Sequence, residues 1–247
     1  MNDVAVFERS ASVSPGLPRE LSARIQSGPW FADLSDSLRR TILERARMRQ
    51  VAAGTRIARR GDDAAFWYGV ASGAVRLSTS MSDGRNVTLD FVGPSQWFGD
   101  IALVDERPLD LDAVAHVATT LLVVSRADLR GLVQQHDELR CALLQLNCQR
   151  LRHMLRRFEE QHTLSLAQRL ARQIQRLAAQ FGRHSGDDDV TIAIGISQGD
   201  LAALVGGSRQ RVNRAWRQMD QQGIVRLERA RLVVCDEARL AAVAEGR

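Results

Sequence analysis

Lysine is absent from this 247-residue chain, so all 34 basic residues are arginine. The bias reads as genomic base composition rather than selection for guanidinium chemistry. Cysteine is scarce. Cys141, Cys148 and Cys235 form an odd set without a Cys-x-x-Cys pair, which argues against a disulfide framework and a cysteine-held zinc or iron–sulfur site. The histidines His116, His136, His153, His162 and His184 are scattered without ligand spacing, so no metal is expected. No apolar run approaches the roughly 20 residues that a bilayer span requires. Met1 to Glu20 lacks a basic start followed by an apolar core, so no secretory signal is read there and a cytoplasmic location is expected.

What is present is an ordinary globular balance, 45% hydrophobic and 26% charged, long enough for one large domain or two modest ones. Positive charge is unevenly spread. Residues 164–247 hold 13 Arg against 9 Asp and Glu, whereas residues 1–163 hold 21 against 20. An excess confined to the last third points to an anionic partner there.

Residues 1–27 read as a flexible arm. From Ser35 or Asp36 to Arg49, the apolar positions Leu38, Ile42, Leu43 and Ala46 share one helical face. Between 50 and 125, turn signals recur at short intervals: Ala53-Gly54, Arg60-Gly61-Asp62-Asp63, Ser72-Gly73, Ser82-Asp83-Gly84 and Gly93-Pro94. Short β-rich segments lie between them, which predicts an antiparallel roll or sandwich. After Ser125, an N-cap with Asp128 three residues on, a short helix runs to about Gln135.

A longer helix begins near Asp137. Its stripe of Leu139, Ala142, Leu143, Leu146, Arg150, Met154 and Phe158 needs a partner surface, so 136–163 is read as a dimerisation helix. Leu139, Leu143, Leu146, Arg150, Met154 and Phe158 are the expected interface of a homodimer. Packing onto the neighbouring domain is the other reading. Cys141 and Cys148, seven apart on one face, read as buried spectator thiols in preference to a redox pair across that dimer. Leu164 to Phe181 is a further amphipathic helix, and Gly182 to Asp189 a polar turn.

Ile196 to Met219 has helix-turn-helix form. Ser197 and Asp200 resemble a capping box, Gly206-Gly207 permits a tight turn, and Ser208 caps the second helix. In that helix Val212, Ala215, Trp216 and Met219 fall at i, i+3, i+4 and i+7 and form the buried side. Gln210, Asn213, Arg214 and Arg217 lie opposite, with Arg209 at the edge. Arg, Gln and Asn match the hydrogen-bonding edges of bases in a major groove, while Arg211 and Arg217 also suit phosphates. Ile224–Leu227 and Leu232–Val234 flank a hairpin tip that carries Arg229 and Arg231, as a DNA-contacting wing would. Double-stranded DNA is the expected partner, through Ser208, Arg209, Gln210, Arg211, Asn213, Arg214, Arg217, Arg229 and Arg231.

From about Gly28 to Ala242 the chain resembles the cyclic-AMP receptor protein / fumarate–nitrate regulator (CRP/FNR) superfamily. The resemblance rests on Gly54-Thr55, Gly61-Asp62, Phe98-Gly99-Asp100-Ile101-Ala102-Leu103, the long helix, and above all Ser208-Arg209-x-x-Val212-x-Arg214. It implies an α+β protein: a cyclic-nucleotide-binding-like β-roll (28–135), a dimerisation helix (136–163) and a winged helix-turn-helix (164–247). The recognition helix is placed at 208–221. It also implies palindromic promoter sites and contact with RNA polymerase. Gln210 stands where the family carries Glu, which favours adenine over cytosine.

The resemblance places an effector pocket at Gly99, Asp100, Ile101, Ala102, Arg107, Leu109, Asp110, His153 and Met154. The family's phosphate cassette reads approximately Phe-Gly-Glu-(Ile/Leu)-Ala-Leu, followed by Arg-Ser-Ala. Here Asp100 shortens the acid, Leu109 replaces the phosphate-binding arginine and Asp110 the serine, which argues against cyclic AMP in the usual pose. His153-Met154 replaces the adenine-contacting Thr-Ser pair. A different ligand such as a cyclic dinucleotide, an unliganded scaffold and a cyclic nucleotide in an altered pose stay open. The iron–sulfur sensor is excluded by the lack of cysteine before residue 30. A cupin-type enzyme would need several histidines in the roll, and 50–125 holds only His116. A roll acting on a protein partner would not need Arg209, Arg214 and the wing.

Overall fold

The computed structural model describes residues 19–81, 86–185, 189–228 and 231–247. The packing divides the chain into two compact units at the Leu151/Arg152 junction.

The first unit opens with helices α1 (Arg19–Gln26), α2 (Pro29–Ala32) and α3 (Asp36–Arg45), followed by strands β1 (Arg47–Val51), β2 (Arg56–Ala58), β3 (Phe66–Ser72), β4 (Val75–Ser80), β5 (Asn86–Val92) and β6 (Trp97–Phe98). The short helix α4 (Asp100–Val104) precedes β7 (Asp112–Ala115) and β8 (Thr119–Ser125), and α5 (Arg126–Gln135) leads to the long α6 (Asp137–Thr163). Two antiparallel sheets, β1-β8-β3-β6 and β2-β7-β4-β5, form the roll.

Alternation along each strand decides which core a side chain enters. Leu121 and Val123 of β8 join Val51, Tyr68, Val70, Val75 and Phe98 inside the roll. Leu122 and Val124 point the other way, into a second core with Trp67 of β3, Trp97 of β6, and Ile25, Leu38, Ile42 and Leu132 of the covering helices. Burial on both faces explains the unbroken apolar run of β8.

Three local expectations are corrected. Residues 19–26, assigned to a flexible arm, form α1, because Leu21 and Ile25 lie one turn apart and seat against the helix-facing core. Residues 1–18 of that arm lie outside the described residues. The helix expected to reach Arg49 stops at Arg45, because 47–51 pairs along its whole length with β8. The polar turn 182–189 instead contributes β9 (Gly182–Ser185) and the start of β10 (Asp189–Ile192), paired from Asp189↔Ser185 to Ile192↔Gly182.

The second unit contains α7 (Leu166–Phe181), β9 and β10, α8 (Gln198–Leu204), α9 (Arg209–Gln221), β11 (Val225–Glu228), β12 (Arg231–Val234) and α10 (Glu237–Glu245). Its sheet has the order β11-β12-β10-β9. Ser165 caps α7 in a capping box with Gln168, and the helix buries Leu170, Ala171, Ile174, Leu177 and Phe181. Glu160, near the end of α6, is buried and accepts hydrogen bonds from Arg172 (3.1 Å) and Arg176 of α7. Burial works to raise its pKa, and the two guanidinium groups outweigh that and hold it below the ordinary carboxylate value.

The stripe assigned to a dimer interface splits in two on α6. Leu139 and Leu143 are buried in the first unit's helix-facing core, and Arg150 is committed to Asp100, so these three serve their own chain. Leu146 is half-buried, while Met154 and Phe158 are exposed. The apolar residues left in solvent are Leu144, Leu151, Met154, Leu155 and Phe158. Cys141 and Cys148 are exposed on the single chain as well. Cys141, Leu144, Cys148, Leu151, Leu155 and Phe158 recur every three or four residues, a heptad seam rather than the 3.6-residue stripe of a core helix.

Candidate DNA-binding face and effector site

The helix-turn-helix is built by its caps. The Ser197 hydroxyl accepts from the Asp200 backbone N–H at 3.0 Å, and the Asp200 carboxylate accepts from the Ser197 N–H at 3.2 Å and from its hydroxyl at 2.6 Å. Gly206 then takes φ +63°, the left-handed region, and a side chain on Gly207 would come within 2.8 Å of Leu166. Ser208 restarts the helix by accepting from the Arg211 N–H. The Arg157 guanidinium donates to the Leu204 carbonyl at 3.1 Å, satisfying an acceptor at the C-terminus of α8.

In α9, Val212, Ala215 and Met219 are buried and Trp216 is half-buried. Arg209, Gln210, Arg211, Arg214 and Arg217 are exposed. No carboxylate among the described residues pairs with Arg209, Arg211, Arg214 or Arg217, so four cations face solvent on one helix. Asn213 sits differently. It is half-buried, and its amide donates to the Gln198 side chain at 3.1 Å, tying α9 to the first turn of α8. Sequence pattern placed Asn213 on the outer face but held no signal for Gln198.

The wing is the β11–β12 hairpin, with Glu228↔Arg231 as its last described pair. Arg231 is exposed, while Arg229 lies outside the described residues. Arg226 braces the hairpin, bonding Glu228 (2.6 Å) and Asp189 of β10 (2.7 Å).

The expected effector residues take several different positions. Gly99 has φ +90°, and an added Cβ would meet the Phe66 carbonyl at 3.0 Å, so the turn into α4 requires glycine. Asp100 is wholly buried. Its carboxylate takes two bonds from Arg150 Nη1 (2.9 and 2.8 Å) and one from Asn147 Nδ2 (3.0 Å), while Arg150 Nη2 donates to the Trp97 carbonyl. Ala102 is buried in the helix-facing core, and Ile101 is exposed. Leu109 packs against that core, and its backbone is pinned by Gly61 N–H to Leu109 O (2.8 Å) and Leu109 N–H to Asp62 O (2.9 Å). Arg107 and Asp110 are exposed. His153 and Met154 lie on α6 beyond the unit boundary, half-buried and exposed respectively.

Inside the roll stand two groups that the sequence reading missed. Arg49 of β1 is buried with its guanidinium 5.2 Å from the Phe66 ring centroid. Tyr68 is buried beside Phe98, ring centroids 4.9 Å apart and stacked. Burial raises the Tyr68 phenol well above its ordinary value, with the Arg49 charge pulling the other way.

Residues 48–136 match the cyclic nucleotide-binding domain family model, and residues 168–243 the Crp-like helix-turn-helix domain. The cyclic AMP receptor protein of Thermus thermophilus is 32% identical over 191 residues, covering 75% of this chain and 82% of the relative. The chain belongs to the CRP/FNR superfamily of transcription regulators. The CRP-like cAMP-activated global transcriptional regulator of Mycobacterium tuberculosis is 29% identical over 174 residues, 70% of this chain and 77% of that protein. FixK2 of Bradyrhizobium japonicum shares the fold, with TM-score 0.70 at 23% identity over 80% of this chain and 96% of that one. Its relatives make this CRP/FNR chain a DNA-binding regulator and not an enzyme. Among the described residues, no group of three or more His, Cys, Asp and Glu is placed to hold a metal, and no helix is long and apolar enough to cross a membrane.

Proposed function

We propose that this chain acts in the cytoplasm as a homodimeric, sequence-specific regulator. It reads two-fold-symmetric promoter sites through residues 208–221, with RNA polymerase as the further partner. The unpaired, exposed row of Arg209, Gln210, Arg214 and Arg217 on a helix whose opposite side is buried carries this reading. Ser208 fixes the start of the helix, and Arg211, Arg231 and Arg229 serve the phosphates. Asn213 sets the angle between the two helices through Gln198 rather than reading a base in the free protein.

For the roll, we propose that cyclic AMP is not held in the family's usual way. The acid meant for the ribose is spent on Arg150 and Asn147, and Leu109 and Asp110 offer the phosphate no cation. A nucleotide in an altered pose is the second reading, favoured by Arg49 and the Phe66, Tyr68 and Phe98 rings inside the roll. Selection from a randomised DNA pool, with and without cyclic AMP, cyclic GMP and cyclic di-GMP, tests both. A palindromic site selected without ligand supports an ungated regulator. Selection with one nucleotide only, abolished by Arg49→Gln, supports the altered pose. Absence of any selected site overturns the DNA-reading proposal.

A further inference from the structure

The sheet β2-β7-β4-β5 turns Ile57, Val75, Ala113 and Ala115 into the roll, so Arg56, Val114 and Arg76, their neighbours in sequence, face outward. Register aligns them: Arg56 and Arg76 both pair with Val114, one from each side. Arg59 and Arg60 follow β2 onto the same wall. Together they line a groove of about 370 Å³ on the outside of the sheet, where four arginines stand against one carboxylate among the described residues, that of Asp112.

That groove is organised rather than merely charged. Asp112 accepts from the Arg60 backbone N–H (3.0 Å) and the Ser80 hydroxyl (3.3 Å), and Arg60 Nη1 donates to Thr79 (2.7 Å), which fixes the head of one arginine. Arg76 is half-buried, and its Nε–H is buried without a hydrogen-bond partner. Neither Arg59 nor Arg76 pairs with a carboxylate among the described residues. Like charges held this close repel, and a multivalent anion removes the repulsion while giving the forked donors their planar acceptors.

We infer that this outer groove is a second ligand site, separate from the roll interior, for a small molecule carrying a diphosphate or two closely spaced phosphates. The Arg59, Arg60 and Arg76 forks take the phosphate oxygens, and Asp112 holds the cradle open by anchoring Arg60 and Ser80.

Calorimetric titration of the full chain with inorganic pyrophosphate, and with citrate in parallel, tests the assignment. The expected result is one saturable pyrophosphate site, weaker for citrate, retained in Arg209→Ala/Arg214→Ala and weakened about tenfold or more in Arg59→Gln/Arg76→Gln. Arg59 is exposed, so Arg59→Gln alone tests the groove without disturbing the fold and is expected to weaken binding several-fold. Any of these results overturns the proposal: no saturation at millimolar pyrophosphate, loss of binding in Arg209→Ala/Arg214→Ala, or citrate bound as tightly as pyrophosphate. Unchanged affinity in Arg59→Gln and Arg59→Gln/Arg76→Gln does so as well.

Discussion

Arg150 Nη1 bonds both oxygens of the wholly buried Asp100 carboxylate, at 2.9 and 2.8 Å. The two residues are 50 positions apart, one at the start of α4 and the other on α6, and their pairing clasps the roll to its helix. Removing one partner leaves a buried charge with only Asn147 to compensate. Arg150→Ala is therefore expected to destabilise the first unit by about 3–5 kcal/mol, read as a fall in the urea midpoint. An unchanged midpoint would show that the carboxylate finds water instead.

The same arrangement bears on ligand choice. Replacing Leu109 and Asp110 by the family's residues, Leu109→Arg/Asp110→Ser, supplies a charge-assisted donor and removes a repelling carboxylate. Each charge-assisted bond is worth about 1.5–3 kcal/mol, so cyclic-AMP affinity is expected to rise about tenfold or more by calorimetry. No gain would place the block at Asp100 and not at the cassette's second half.

On the DNA side, Arg209→Ala and Arg214→Ala are each expected to cost about 1–3 kcal/mol on the preferred site and to relax base choice at one position. Arg231→Ala is expected to weaken all sequences alike. Binding selection separates the two effects. Unchanged selectivity in the first two variants refutes the assignment of α9 as the reading helix.

Glu160 gives the second unit an acid limit. A carboxylate whose folded pKa is depressed adds stability above its unfolded pKa, and that stability is lost as the pH falls through the folded value. As the pH falls below the ordinary glutamate value, the wild-type unfolding midpoint is expected to drop more steeply than that of Glu160→Gln. Parallel curves would mean that Arg172 and Arg176 stabilise the protonated acid equally well.

Much of this was legible in the sequence. Ser197, Gly206 and Ser208 announce both helices of the DNA-binding motif through local backbone chemistry, which needs no knowledge of the rest of the chain. Turn spacing did the same for the roll. What stayed hidden depends on distant partners. Residues 47–49 read as the end of a helix because their only reason to extend is β8, some 70 positions on. Arg49 carried no signal of its own, because nothing nearby in sequence places it beside Phe66 and Tyr68. The bond from Asn213 to Gln198 left no trace in the pattern because Gln198 is a helix away.

The long helix holds the most instructive error, since one apolar stripe served two surfaces. Leu139 and Leu143 are consumed by the chain's own core, leaving Leu144, Leu151, Leu155 and Phe158 each more than half exposed. A seam of that kind is costly in water, and the proposed homodimer relieves it with a second copy packed in parallel register. Leu151→Asp or Leu155→Asp is expected to give folded monomers by light scattering, with DNA affinity lost because two half-sites are no longer bound together. Leu139→Asp should unfold the first unit instead, which separates interface from core. The register has its own check. In the proposed parallel dimer Cys148 lies opposite its counterpart, so mild oxidation is expected to cross-link the wild-type chain, and Cys148→Ser to abolish most of the product. A dimer that persists in Leu151→Asp and Leu155→Asp would move the interface off this helix.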